Sequence, residues 1–153
     1  MPRNFAALVL CAILLIAFAA TAWLASQGKC ATVDEPANLV ASWIQVQFGD
    51  FRMDCEDPPL WKYFVAAGMP ANLFQINRAS PQWESLLHNA NATAPIAVRA
   101  LYGTPGVDAD TLVRSARARI IGFGVLLGTV IGWWAWRLAA DRRPGGGNRA
   151  CLS

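Results

Sequence analysis

The sequence predicts an all-α membrane protein: two transmembrane helices joined by a long extracytoplasmic loop that carries short amphipathic helices. Three observations predict it. Phe5–Leu24 (FAALVLCAILLIAFAATAWL) carries no charge, and at ~1.5 Å per residue it is long enough to cross a ~30 Å hydrocarbon core. Ile120–Trp136 (IIGFGVLLGTVIGWWAW) is also uncharged and lies near the lower length limit of about 17 residues. Nine of the 10 acidic residues fall between these runs, so the polar residues of this 153-residue, 55% hydrophobic chain are concentrated in one segment.

The order of elements is then residues 1–4 as a cytoplasmic N-terminus, 5–24 as the first span, 25–119 as the outer loop, 120–140 as the second span and 141–153 as a flexible cytoplasmic tail. Arg3 precedes the first span, and Arg137, Arg142, Arg143 and Arg149 follow the second with only Asp141 against them. Basic residues flanking spans stay on the cytoplasmic side, which puts both termini inside and residues 25–119 outside, in a plasma (inner) membrane. Arg114, Arg117 and Arg119 oppose this, but long loops translocate largely regardless of charge. The first run also fits a cleaved leader, since Arg3 supplies a basic start and Ala17-Phe18-Ala19 or Ala20-Thr21-Ala22 a cleavage site. Its length, beyond the usual ~7–15 apolar residues of a leader, favours an uncleaved anchor.

In the second run Gly124, Gly128 and Gly132 fall every fourth residue, on one helix face where another helix can approach closely. Trp133, Trp134 and Trp136 ahead of Arg137 read as an interfacial belt. A single other span is a thin supply of packing surface, so further transmembrane helices outside this chain are expected as partners.

Within the loop, Asp34-Glu35-Pro36 reads as a helix start, with an acid as cap and proline in the first turn. Leu39/Trp43 and Val40/Ile44 give that helix an apolar side, directed at the membrane or at other helices, and Gly49 stops it. Gly49–Arg52 is a turn and Asp54–Asp57 is irregular. Pro58-Pro59 opens a second apolar segment that ends at Gly68 and Pro70. Gln82–His88 reads as a helix and Asn89–Pro95 as loop, with an acceptor sequon at Asn91-Ala92-Thr93. Gly103, Pro105 and Gly106 break the chain before a helix that starts near Asp108 or Asp110 and runs into the second span. Cys30 and Cys55 both lie in the outer segment, where a disulfide is chemically permitted and spacing alone does not decide it. With one histidine, His88, and no Cys-x-x-Cys pair, there is no zinc pattern.

The paired acids are the candidates for chemistry. A carboxylate at a membrane-side cavity can act as general base on a hydroxyl or amine, whereas a cap or a solvated loop acid explains the same residue without chemistry. Phosphate departure would need a cation, for which Arg52 and the run Arg114–Arg119 are the local choices.

A first span followed by Asp34-Glu35, then Gly49-Asp50-Phe51-Arg52, then Glu56-Asp57-Pro58-Pro59-Leu60, and an Arg-rich entry to the next span resembles the N-terminal part of the GT-C membrane glycosyltransferases. The nearest in pattern are the protein O-mannosyltransferases and the lipid-linked aminoarabinose transferases. The resemblance implies transfer of a sugar from a polyprenyl-phosphate donor to a lipid or protein acceptor on the outer face of the membrane, with no nucleic acid involved. It implies Asp34 as the catalytic carboxylate, Glu35 assisting it, and Glu56, Asp57 and Arg52 in substrate binding. No cofactor is identified from it, and a divalent metal stays open. Where the family often has His, this chain has Asp57. Two spans scarcely enclose such a donor and acceptor, so the chain is expected to be a truncated or frameshifted fragment, inactive alone. A non-catalytic two-span protein with an outer interaction loop is the alternative.

Overall fold

The computed structural model describes residues 3–141 except Val33, and the described residues are helical with no strand. The elements are α1 (Arg3–Ser26), α2 (Asp34–Phe48), α3 (Pro59–Ala66), α4 (Pro81–Ser85), a 3₁₀ turn at Ala90–Ala92, α5 (Thr93–Gly103) and α6 (Ala109–Asp141). The expected tail with Arg142, Arg143, Arg149 and Cys151 lies outside the described residues.

Two helices are long and apolar enough to cross a membrane, over Phe5–Ser26 and Ala109–Ala139. The expected second span, 120–140, is the distal part of α6, a continuous 33-residue helix about 50 Å long at ~1.5 Å per residue. Helix α6 begins where Asp108 caps it: the Thr111 N–H donates to Asp108 Oδ1 at 3.1 Å and the Thr111 hydroxyl to Oδ2 at 2.6 Å. These bonds hold the Asp108 carboxyl below its ordinary value of 3.8.

Helices α1 and α6 pack antiparallel, and the glycines explain how. A Cβ on Gly124 would stand 3.0 Å from the Phe18 ring, one on Gly128 2.6 Å from Leu15 Cδ2, and one on Gly132 3.9 Å from Cys11 Sγ. The glycine stripe is therefore filled by the chain's own first helix. This is the close helix approach that the spacing predicts.

Residues between these helices form a folded unit with its own apolar core, more than a loop. Its centre is α2, on which Leu39, Val40, Trp43 and Ile44 are buried together with Ser42 and Gln45. Burial on almost every side corrects one option for this helix: it is a core element enclosed by α3, α5 and α6, not a helix laid against the membrane. Trp43 meets Phe48 and Phe74 edge-on, with centroids 5.2 and 5.1 Å apart, and its indole N–H donates to the Pro70 carbonyl at 2.8 Å. Gly49 ends α2 at φ 63°, a left-handed turn that glycine adopts without strain.

Two local expectations are corrected. The cap of α2 is not Asp34. The Thr32 N–H donates to Glu35 Oε2 at 2.8 Å, half of a capping box, and Asp34 in the first turn has no hydrogen-bond partner among the described residues. And Asn89–Pro95 is not loop: a 3₁₀ turn runs into α5 at Thr93, with Pro95 in its first turn, where a missing N–H costs nothing. The expected helix near Gln82 exists but is brief, Pro81–Ser85, capped by Ser80, whose hydroxyl accepts from the Trp83 N–H at 3.3 Å.

Candidate functional site

The site builds on three fixed points around the start of α2. The first is a clamp. Arg117 of α6 donates to both oxygens of Glu35, Nε to Oε1 at 2.8 Å and Nη2 to Oε2 at 2.7 Å. The same guanidinium donates to the carbonyls of Ser26, Lys29 and Cys30 at 3.0, 3.1 and 3.0 Å. Ser26 is the last residue of α1, whose terminal carbonyls lack partners within the helix, so Arg117 caps α1 and ties it to α2. The fork geometry of arginine is what lets one side chain serve five acceptors. Arg117 holds the Glu35 carboxyl below its ordinary value of 4.5.

The second fixed point is the turn after α2. Asp50 takes the Arg52 guanidinium on both oxygens, the shortest contact being 2.7 Å, and Arg52 lies over the Trp83 ring at 5.3 Å. The Asp50–Arg52 contact lowers the Asp50 carboxyl below its ordinary value of 3.8 and raises the Arg52 guanidinium. The third is Lys62 of α3, whose side chain is fully buried. It pairs with Asp54 Oδ2 at 2.6 Å and donates to the Asp54 carbonyl at 3.0 Å, which fixes the irregular segment Asp54–Asp57 against α3.

Between these points lies a cleft of about 380 Å³ lined by Asp34, Arg52, Asp54, Glu56, Asn91 and Thr93 among others. It brings together Asp34, Glu56 and Arg52 of the five sequence-chosen residues. Glu35 is turned away, toward Arg117 and a small apolar hollow of about 80 Å³ between α2, α3 and α6. Asp57 is exposed beyond the cleft, its N–H donating to Asp54 Oδ1 at 3.3 Å. Asp34 makes no hydrogen bond or ion pair with a described residue, whereas Asp54 is paired with Lys62 and Arg52 with Asp50. The unbalanced charge of the cleft is therefore the two carboxylates of Asp34 and Glu56, a setting suited to a cation, an amine or a hydroxyl and unfavourable to a phosphate.

Sequence reasoning missed Asp50, Asp54, Lys62 and Arg117 as the supports of the site. The Thr-x-x-Glu spacing was a usable signal for Glu35 as a structural residue; Lys62, inside an apolar segment, carried a hint of a buried pair. No group of three or more His, Cys, Asp or Glu among the described residues is arranged to hold a metal ion, and Cys11, Cys30 and Cys55 are free thiols.

The described residues thus define a helical chain with two helices fit to span a membrane and a folded unit with an acidic cleft. No family model, curated protein or solved structure matches it.

Proposed function

We propose that this chain forms the acceptor side of a membrane glycosyltransferase of the GT-C kind, moving a sugar from a polyprenyl phosphate to a lipid or protein acceptor on the outer face of the membrane. The observation that carries the reading is Asp34: a carboxylate with no partner among the described residues, in a cleft with Glu56, one residue from the clamp that joins the unit to α6 just ahead of its uncharged run. In this role Asp34 accepts the proton of the acceptor hydroxyl or amine as it attacks the sugar, and Glu56 orients the acceptor. Arg52 and Arg117 are each paired with a carboxylate, Asp50 and Glu35, and in this reading the donor phosphate is bound by further helices that pack beside this chain. The polypeptide by itself is accordingly inactive.

The test uses native membranes, where any accompanying helices are present, supplied with a radiolabelled polyprenyl-phosphate sugar. A general base contributes about 10²–10⁴-fold, so Asp34→Asn is expected to cut label transfer at least about 100-fold while the chain remains at its normal level in the membrane. Undiminished transfer in Asp34→Asn membranes would remove the enzymatic reading and leave the alternative, a non-catalytic two-span protein with an outer interaction unit.

A further inference from the structure

We propose that α3 is an interfacial anchor: its Leu60, Tyr63 and Phe64 face lies in the headgroup–acyl boundary of the bilayer that α1 and α6 cross, and this sets the depth of the acidic cleft. Residues three and four apart share a helix face, and these three are 62%, 50% and 38% exposed, while Lys62, Val65 and Ala66 on the other side are buried. A short helix with one dry face and one exposed aromatic and aliphatic face is the pattern of a segment lying in an interface.

Its depth follows from its contacts. The Phe64 ring packs on Phe123 of α6, centroids 5.0 Å apart, and Phe123 is within the first turn of the uncharged run that begins at Ile120. Arg119, the last charged residue before that run, donates to the Val65 carbonyl. The C-terminal half of α3 is thus level with the point where α6 changes from charged to apolar, and its outward face continues the apolar surface of the spans. Tyrosine and other aromatic side chains are enriched at that level of a membrane. On its inward side Lys62 grips the carbonyl and carboxylate of Asp54, and Pro58-Pro59 follows Asp57 directly, so the bilayer surface that positions α3 also positions Asp54–Asp57.

This inference rests on α1 and α6 as membrane spans and not on sugar transfer. The full chain, with Cys11, Cys30, Cys55 and Cys151 replaced by serine, is reconstituted in phosphatidylcholine–phosphatidylglycerol vesicles. A nitroxide is attached at Leu60→Cys or Tyr63→Cys, with Val130→Cys as span control and Leu87→Cys as water control. Power-saturation spectroscopy compares collisions with oxygen, which concentrates in lipid, and with the water-soluble nickel–ethylenediaminediacetate chelate. The expected result is oxygen above nickel at Leu60, Tyr63 and Val130, and nickel above oxygen at Leu87. Nickel dominating at Leu60 and Tyr63 with Val130 still in lipid would overturn the anchor alone. Low collision with both reagents at Leu60 and Tyr63 would also overturn it, by assigning the face to a protein partner. Nickel dominating at Val130 would overturn it together with its premise of membrane spans.

Discussion

Adjacent acids at the start of α2 are expected to separate sharply in what they do, and the clamp gives the magnitude. Glu35 and Arg117 are 30% and 12% exposed in their side chains, bonded through two contacts of 2.8 and 2.7 Å. Exposed pairs couple by about 0.2–1 kcal/mol, and breaking a buried pair costs about 3–5 kcal/mol. A half-buried bidentate pair belongs between them, at about 1–2 kcal/mol. Arg117→Ala removes this and also leaves the carbonyls of Ser26, Lys29 and Cys30 without their charged donor, so about 2–4 kcal/mol in all is expected. Glu35→Gln should cost about 1–2 kcal/mol, and Asp34→Asn, which touches no described partner, less than about 0.5 kcal/mol. The assay is equilibrium unfolding in mixed micelles followed by tryptophan fluorescence, with the Glu35→Gln/Arg117→Ala double mutant closing the cycle. A coupling below about 0.3 kcal/mol, or Asp34→Asn costing as much as Glu35→Gln, would refute the assignment of Glu35 to structure and Asp34 to the cleft.

Acid should weaken the fold through the same groups. Glu35 and Asp50 are depressed below 4.5 and 3.8, so their stabilisation is complete above those values and is lost as pH falls through the folded-state values. The unfolding midpoint of the wild type is therefore expected to drop below about pH 4.5, and Glu35→Gln should flatten part of that drop; an unchanged slope would count against the clamp. Gly132→Cys, in a chain lacking Cys30, Cys55 and Cys151, should form a disulfide with Cys11 under mild oxidation, because that Cβ position lies 3.9 Å from Cys11 Sγ. A shift in mobility after cleavage between the helices reads it, and failure would deny the antiparallel register. Lys62→Ala should destabilise by about 3–5 kcal/mol by leaving Asp54 without its cation, and Asp54→Asn in the same chain should recover part of the loss in the same unfolding assay.

The sequence was most informative where one local property decides the outcome. Uncharged length marked both long helices, and glycines marked ends that require a left-handed residue, as at Gly49 and Gly68 with φ of 63° and 74°. It failed where two local signals compete, as at Asn89–Pro95: Asn and Pro read as loop, although proline in a first turn is compatible with the helix that forms there. Partners were less legible still. Glu35 and Arg117 lie 82 residues apart, and their meeting depends on the register of α1 against α6. That register comes from Phe18 and Leu15 seating on Gly124 and Gly128, which a glycine spacing announces without naming the occupant. Of the candidate site, Asp34, Glu56 and Arg52 line one cleft, but the supports that hold them were not visible in the sequence.

Helix geometry explains why an Asp-Glu pair does not make a two-carboxylate site here. Successive residues on an α-helix diverge by about 100°, so side chains at i and i+1 do not face one another. Once Glu35 is drawn to Arg117, Asp34 must point elsewhere, and the direction left to it opens on the cleft. The second carboxylate of that cleft then has to come from another segment. Glu56 supplies it, held near by the grip of Lys62 on Asp54. The two carboxylates of the cleft accordingly come from separate segments, and the second rests on a lysine that never reaches the surface. A change at Lys62 should therefore disturb the spacing of Asp34 and Glu56 as well as the stability of the unit, and Glu35 should influence the cleft only by fixing the rotation of α2.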